Sequence, residues 1–372
     1  MQRGLNDVFA ENQKISLRQL QVLLLLDCFG TAVLFLPAEL AQLSGNGCWF
    51  LALGGGIAFV VSSILLSQAG RRMGEGTAVE WFQSCFGIFG GTVLLVGLAG
   101  NLLFSSFTEL RIFSEVVCRT MLPNTPLWII SLLILAVGMM WARQGAECRG
   151  RAAEILFFMV IIPILVVLIS VAISAEYGNV RPWEFPDSRG FLGGIGTLSM
   201  TFQGLLFLYF VFPSLRKTSA VRKKTAAATG VTAAAITGIT FLCLAVYGDK
   251  VLSQKLLPTL QMLERVSFTG VFLIRQDVLL LWFWMASVSL FLSGGLFYGA
   301  LLVRRMLRQE EGKGVIWIWI WGILIFVFSF LPKDLSAAYR WKRVITPWFS
   351  LIYLWIIPLL LLWKGKGESN CE

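Results

Sequence analysis

Glycine and small polar residues interrupt two apolar stretches of the sequence, and these interruptions predict binding chemistry. The first is Cys28-Phe29-Gly30-Thr31-Ala32, and the second is Met200-Thr201-Phe202-Gln203-Gly204. Where a helix unwinds in hydrocarbon, its free N–H and C=O groups must find partners, and a small polar ligand can supply them. The partial charges at the ends of the helical halves suit an amino or a carboxyl group.

Four further polar residues lie within apolar stretches and are candidates for the same site. Asp27 can bind an ammonium group or a proton, and the alternative is a helix-end carboxylate bonded to a neighbour. Asn101 and Ser105 share a helix face, where interhelical hydrogen bonding is an equal alternative to a ligand. Ser287 is a hydroxyl of the kind that binds an ion, but serine is also a common packing residue. The predicted ligand-binding residues are Asp27, Cys28, Phe29, Gly30, Thr31, Ala32, Asn101, Ser105, Met200, Thr201, Phe202, Gln203, Gly204 and Ser287.

The composition argues against an enzyme. The chain has no histidine, and its seven cysteines are scattered without a C-x-x-C pair, so we predict no metal site and no catalytic residue. A Walker A lysine and a G-x-G-x-x-G fingerprint are also missing from the sequence, and no cofactor is predicted.

The sequence predicts an all-α integral membrane protein. Hydrophobic residues make up 57% of the 372 residues, and the mean hydropathy is +0.76. A spanning helix needs about 20 apolar residues, so the length allows about ten spans in a single membrane domain over residues 1–372. The predicted spans are 17–43, 48–69, 87–118, 126–142, 150–173, 191–213, 225–247, 277–303, 314–331 and 344–363.

The basic residues predict the orientation. With both termini in the cytoplasm, 19 Lys and Arg residues fall on the inner side and 11 on the outer side. The run Arg216 to Lys224 is expected to attract anionic lipids. The net charge of +10 is explained by these loops, so no nucleic acid partner is predicted.

The two interruptions predict an inverted repeat. They fall near the middles of spans 1 and 6, and Gly30 and Gln203 are 173 residues apart, close to half the chain. Matched breaks in two five-span halves, 17–173 and 191–363, are typical of transporters built from inverted repeats. The alternative is that these glycines only permit close helix packing.

Span 3 carries a charged stripe of Glu109, Arg111, Glu115 and Arg119 near its predicted outer end. The spacing of four residues predicts ion pairs between Arg111 and Glu115 and between Glu115 and Arg119. We expect a solvated or partner-facing stripe rather than a proton relay.

Three stretches of the chain resemble the spore germination permeases, the GerAB-type B subunits of nutrient germinant receptors. The first is Ile15-Ser16-Leu17-Arg18-Gln19-Leu20, which runs into residues 28–31 and Pro37. The second is Leu122-Pro123-Asn124-Thr125-Pro126, followed by Gly145, Glu147, Arg151 and Glu154. The third is Pro258-Thr259-Leu260-Gln261-Met262, followed by Arg265, Arg275, Asp277 and Trp284.

The resemblance implies a LeuT-like fold of the amino acid-polyamine-organocation superfamily, located in the inner membrane of the spore. It implies a subunit that binds a nutrient germinant and works with an A subunit and a C-subunit lipoprotein. An ion-coupled amino-acid permease is the alternative. Span 5 has no Lys or Asp between Ile155 and Ile173, and the neutral Gln203 stands near where the family pattern often has Glu, so sensing is favoured.

Overall fold

The computed structural model describes residues 14–30, 32–72, 77–183, 185–215, 219–264, 276–309 and 314–368, and most of these residues are helical. The helices are α1 (Leu17–Cys28), α2 (Ala32–Ser44), α3 (Cys48–Arg72), α4 (Ala78–Thr120), α5 (Leu127–Arg143), α6 (Gly145–Ser174), α7 (Ser188–Leu198), α8 (Phe202–Ser214), α9 (Val221–Leu252), α10 (Pro258–Glu264), α11 (Gln276–Met306), α12 (Gly314–Phe328) and α13, which comprises Leu335–Ser350, a wider π-helical turn Leu351–Ile356 and Ile357–Glu368.

The start of the bundle is set by local capping. Ser16 caps α1, because its hydroxyl accepts a hydrogen bond from the Gln19 N–H (3.1 Å) and the Gln19 side chain accepts one from the Ser16 N–H (2.9 Å). The preceding residue, Ile15, donates its N–H to the Ser214 carbonyl (2.7 Å) at the end of α8. The beginning of α1 is therefore tied to the end of α8.

The helices have the length and apolar surface of membrane spans. Within the described residues, five helical stretches are long and apolar enough to cross a membrane alone, the bent pair α7 and α8 makes a sixth, and α5 and α12 are shorter apolar helices. Large apolar side chains such as Phe89 (86% exposed) and Ile173 (82%) lie on the outside, as expected of a surface in contact with lipid. Each of the ten predicted spans falls on one helix or one broken pair, but the number of membrane crossings stays a prediction.

The first predicted break is present. Helix α1 ends at Cys28 and α2 begins at Ala32, with Phe29 and Gly30 outside regular helix. Thr31 lies outside the described residues.

The second break overlaps the predicted interruption Met200–Gly204 but begins before it. Helix α7 ends at Leu198, the chain bends by 62°, and Phe202–Phe207 form tight 3₁₀ turns. The reason is that 3₁₀ turns pair backbone groups that an open segment would leave unsatisfied in an apolar environment. Gly194 lies inside α7, where an added Cβ would be 3.2 Å from Leu51, so close packing explains this glycine.

Two of the helices that begin earlier than predicted contain a buried charge. Helix α6 begins at Gly145 rather than at residue 150, and α13 begins at Leu335 rather than at residue 344. As a result Arg149 and Lys342, which the sequence assigned to loops, lie buried in the bundle. The predicted spans stop at these charges because a charge is costly in lipid. In the structure each charge is paired with a carboxylate inside the protein, so the helix can include it.

Candidate ligand-binding site

The backbone between α1 and α2 is partly satisfied by side chains of α11. Ser287 Oγ donates to the Leu26 carbonyl (2.7 Å) and lies 3.2 Å from the Phe29 carbonyl. Trp284 Nε1 donates to the Gly30 carbonyl (3.1 Å), and its ring stacks on Phe29 at 5.5 Å between centroids. Ser287, a predicted ion ligand, thus acts in this structure as a donor that holds α11 against the break.

A buried ion pair lies directly before the first break. Arg149 Nη2 is 3.1 Å from Asp27 Oδ2 and 3.3 Å from Oδ1, and the two side chains are 1% and 2% exposed. Arg149 Nε also donates to Ser293 Oγ (2.8 Å), and Nη2 donates to the Leu290 carbonyl (3.3 Å). The carboxylate of Asp27 is therefore engaged by a neighbour, as the alternative interpretation of this residue held.

Two aromatic rings complete the surroundings of Arg149. Its guanidinium carbon lies 5.4 Å from the ring centroids of both Phe207 and Tyr298. The partners come from α1, α8 and α11, so one fixed charge on α6 joins both broken helices to their neighbours. A lone Asp27 in an apolar span requires a partner, and this is the one feature of the sequence that indicates a residue such as Arg149.

Gln203 is the centre of a buried hydrogen-bond network at the second break. Its Oε1 accepts from Ser105 Oγ (3.2 Å) and Asn101 Nδ2 (3.4 Å), and its Nε2 donates to Ser350 Oγ (2.8 Å) and the Ser199 carbonyl (3.3 Å). Asn101 and Ser105 share one helix face, as predicted, and this face contacts Gln203 at the second break. The network uses the interhelical hydrogen bonding that the sequence left as an equal alternative, and Ser350 was not foreseen.

One helical turn beyond this network, Glu109 of α4 pairs with Lys342 of α13. Glu109 Oε2 accepts a hydrogen bond from Lys342 Nζ, and both side chains are 3% exposed. Glu109 Oε1 lies 2.8 Å from the position that a Cβ on Gly30 would occupy. A buried pair of opposite charges therefore adjoins the unwound backbone of the first break.

The charged stripe of α4 is buried rather than solvated. Glu109, Arg111 and Glu115 are all buried, and the prediction of a solvated stripe is wrong for them because they pair within the bundle. The ion pairs from Glu115 to Arg111 (3.1 Å) and to Arg119 (2.6 Å) are present as predicted.

Helices α4 and α13 face each other with polar residues at matching intervals of four, which we call the polar ladder. Its members are Asn101, Ser105 and Glu109 on α4 and Lys342, Thr346 and Ser350 on α13. The buried hydroxyl of Thr346, and that of Thr201 in the second break, have no hydrogen-bond partner among the described residues. Buried hydroxyls normally have a hydrogen-bond partner, so these two could bind a ligand, as could other unpartnered buried hydroxyls of the described residues such as Ser114 and Ser131.

Two predicted site residues pack helices together. The Phe202 ring stacks on Phe59 with centroids 4.6 Å apart. A Cβ on Gly204 would lie 2.8 Å from the Cβ of Asp27, so only glycine allows α8 to approach α1 this closely.

The other predicted residues lie close to the breaks. Cys28 and Met200 are buried at the ends of the helical halves. Ala32 begins α2, and Thr31 lies outside the described residues. The structure thus brings the first break, the second break and α4 together around the polar ladder, whereas Ser287 contacts the opposite, α11 side of the first break.

Two solved structures resemble this fold. MhsT in complex with L-phenylalanine matches with a TM-score of 0.70 and 15% identity, covering 94% of this chain and 89% of MhsT. Mhp1, a nucleobase-cation-symport-1 family transporter, matches with a TM-score of 0.60 and 15% identity, covering 91% and 78%. Both are membrane transporters of the LeuT fold, and the predicted fold class is confirmed.

Sequence comparison identifies the family. Spore germination protein YndE of Bacillus subtilis (strain 168) is 22% identical over 97% of this chain and 100% of its own length. Spore germination proteins B2 and KB of the same organism are 21% and 23% identical over 95% and 97% of this chain and 98% of their own length. A family profile described as "Spore germination protein" matches residues 14–338. This integral membrane protein with a LeuT fold therefore belongs to the spore germination protein family.

Proposed function

We propose that this chain is the germinant-sensing membrane subunit of a spore nutrient receptor. It binds a small polar nutrient, with an amino acid favoured, at the two helix breaks and the polar ladder. It signals to an A subunit and a C-subunit lipoprotein in the inner membrane of the spore, with both termini in the cytoplasm. The family match and the relatives named as spore germination proteins support this proposal.

Sensing is favoured over ion-coupled transport because Asp27 and Ser287, two residues that could bind a coupling ion, already have partners in the structure. The carboxylate of Asp27 is neutralised by the guanidinium of Arg149, and the Ser287 hydroxyl is bonded to the backbone of the first break. A coupling cation is bound by oxygen ligands, and a carboxylate that is already paired with a fixed guanidinium is not available to neutralise it. A permanent guanidinium beside the break therefore favours a ligand switch without a coupling ion.

Deletion of the gene in its host tests the proposal. We expect spores without this chain to lose the germination response to at least one nutrient in a panel of amino acids, sugars and nucleosides. Complementation with the intact gene should restore it. A deletion strain that responds normally to every nutrient to which the parent strain responds would contradict a sensing role.

Proteoliposomes containing the purified protein test the permease alternative. We expect no accumulation of a labelled nutrient identified in the deletion experiment when a sodium or proton gradient is imposed, because the structure engages the groups that would bind the coupling ion. The matched control is the same preparation with the gradient collapsed by ionophore. Gradient-driven accumulation would favour the permease.

A further inference from the structure

Three arginines surround a cavity where α3 ends and α9 begins. The cavity has a volume of about 370 Å³ and is lined by Gln68, Arg71 and Arg72 of α3 and by Arg222 of α9. All three arginine side chains are exposed. We infer that this cavity binds an anionic phospholipid, whose phosphate is held by the three guanidinium groups. The site lies at helix ends rather than at the two breaks, and it does not depend on the proposed function.

The charges of these arginines are not balanced within the described part of the chain. No ion pair between described residues includes Arg71, Arg72 or Arg222, whereas the arginines inside the bundle pair with carboxylates. A guanidinium is planar and binds a phosphate through two parallel hydrogen bonds. Three guanidinium groups around one cavity repel one another, and a phosphate between them would replace this repulsion with attraction.

The position of Arg222 is a second argument. The end of a helix carries a partial negative charge, which suits Arg71 and Arg72, but its beginning carries a partial positive charge. Arg222 lies in the first turn of α9, which has no acidic residue and no side-chain cap. A cation is unfavourable there, and an anion is favourable. Membrane orientation explains basic residues at this end of the bundle, but it does not explain why an arginine at the beginning of α9 shares a cavity with two others.

The ends of the two helices are held together before any lipid binds. Ser67 Oγ and Thr225 Oγ1 are 2.6 Å apart in a buried hydrogen bond between α3 and α9. Ser67 precedes Arg71 by one turn, and Thr225 follows Arg222 by about one turn. The backbone of the site is therefore preorganised, and binding has to order only the side chains.

The apolar surface beside the cavity favours a lipid over a soluble phosphate. Arg72 Nη1 donates to the Leu362 carbonyl (2.9 Å), which places the last turns of α13 next to the site. Leu359, Leu360 and Trp363 of these turns are exposed. Tryptophan is common at the membrane interface, and basic pockets between helices bind anionic headgroups. The acyl chains would lie along α13. A zwitterionic headgroup would bring its own cation towards the three arginines.

Native mass spectrometry of the purified full-length chain in neutral detergent tests the inference. Phosphatidylglycerol and phosphatidylcholine with the same acyl chains are titrated separately. We expect the first phosphatidylglycerol molecule to bind at least about 10-fold more tightly than phosphatidylcholine, because its headgroup carries a net negative charge. Glycerol phosphate at the same concentration should not displace the lipid, because it has no acyl chains to contact α13.

The matching variant replaces all three arginines. Arg71→Gln, Arg72→Gln and Arg222→Gln together should weaken the binding of phosphatidylglycerol at least about 10-fold. The single variant Arg222→Gln should weaken it at least about 3-fold, and without lipid it should melt no lower than the unmodified chain, since it removes a cation from the beginning of a helix. The single variant decides the question if the triple variant does not fold.

The control removes the same charge from exposed positions that do not line the cavity. Lys223→Gln, Lys224→Gln and Arg308→Gln together should bind phosphatidylglycerol like the unmodified chain.

Three results would overturn the lipid site. Equal binding of the two lipids would show that the arginines do not select an anionic headgroup. Equal weakening by the control would reduce the effect to general surface charge. Displacement by glycerol phosphate would assign the cavity to a soluble phosphate.

Discussion

Replacing Arg149 with methionine is expected to destabilise the folded protein strongly. The variant would leave the Asp27 carboxylate buried without a counter-charge and would remove the hydrogen bonds to Ser293 Oγ and the Leu290 carbonyl. Breaking a buried ion pair in this way costs about 3–5 kcal/mol. The measurement is the melting temperature and the monodisperse fraction of the purified protein in detergent.

Two further variants decide whether the effect comes from the buried charge. Asp27→Asn combined with Arg149→Met removes both charges and should recover most of the lost stability. Arg143→Met removes an exposed charge from the preceding helix and should have little effect. If Arg149→Met melts at the same temperature as Arg143→Met, Arg149 does not have the structural role assigned to it.

Arg149 also shows what the sequence could not predict. Hydropathy locates a span by its apolar residues and ends it at the first charge, so Arg149 and Lys342 fell into loops. Their carboxylate partners are 122 and 233 residues away, and nothing in the local pattern indicates such distant pairs. Long-range pairing makes a buried charge tolerable, and it becomes visible only in the folded chain.

The break in the first span was predictable because its cause is local. Gly30 and its neighbours are poor helix formers at the centre of an apolar stretch. The second break was less predictable, since a glycine such as Gly194 serves close packing on Leu51 inside α7 and does not end the helix. The presence of a glycine in the sequence does not show whether it breaks a helix or allows two helices to pack closely.

The candidate site was predicted in part for similar reasons. The shared face of Asn101 and Ser105 follows from helical spacing. The amide of Gln203 was expected at the site from its position in the second break. Its partner Ser350 lies 147 residues further on, in a span where it resembles any other packing serine.

Replacing Gly30 with leucine is expected to weaken the germinant response strongly while the protein remains in the spore membrane. The leucine Cβ would meet Glu109 Oε1 at 2.8 Å, and the rest of the side chain would displace the carboxylate from Lys342 and fill the approach to the first break. We expect the nutrient concentration for half-maximal germination to rise at least about 100-fold, which corresponds to about 2.7 kcal/mol of binding free energy. The measurement is a dose-response curve of spores that carry the variant, with immunoblots of the spore membrane fraction.

Gly100→Leu is the matched control for this prediction. Gly100 is an exposed glycine of α4, and a Cβ there would have no heavy atom within 4 Å, so the same substitution adds the same apolar bulk without touching the site. Spores with Gly100→Leu should respond like the parent strain. Because the Gly30 substitution acts on Glu109 and on the open backbone together, a normal dose-response curve for Gly30→Leu at normal protein levels would mean that the nutrient binds elsewhere in the bundle.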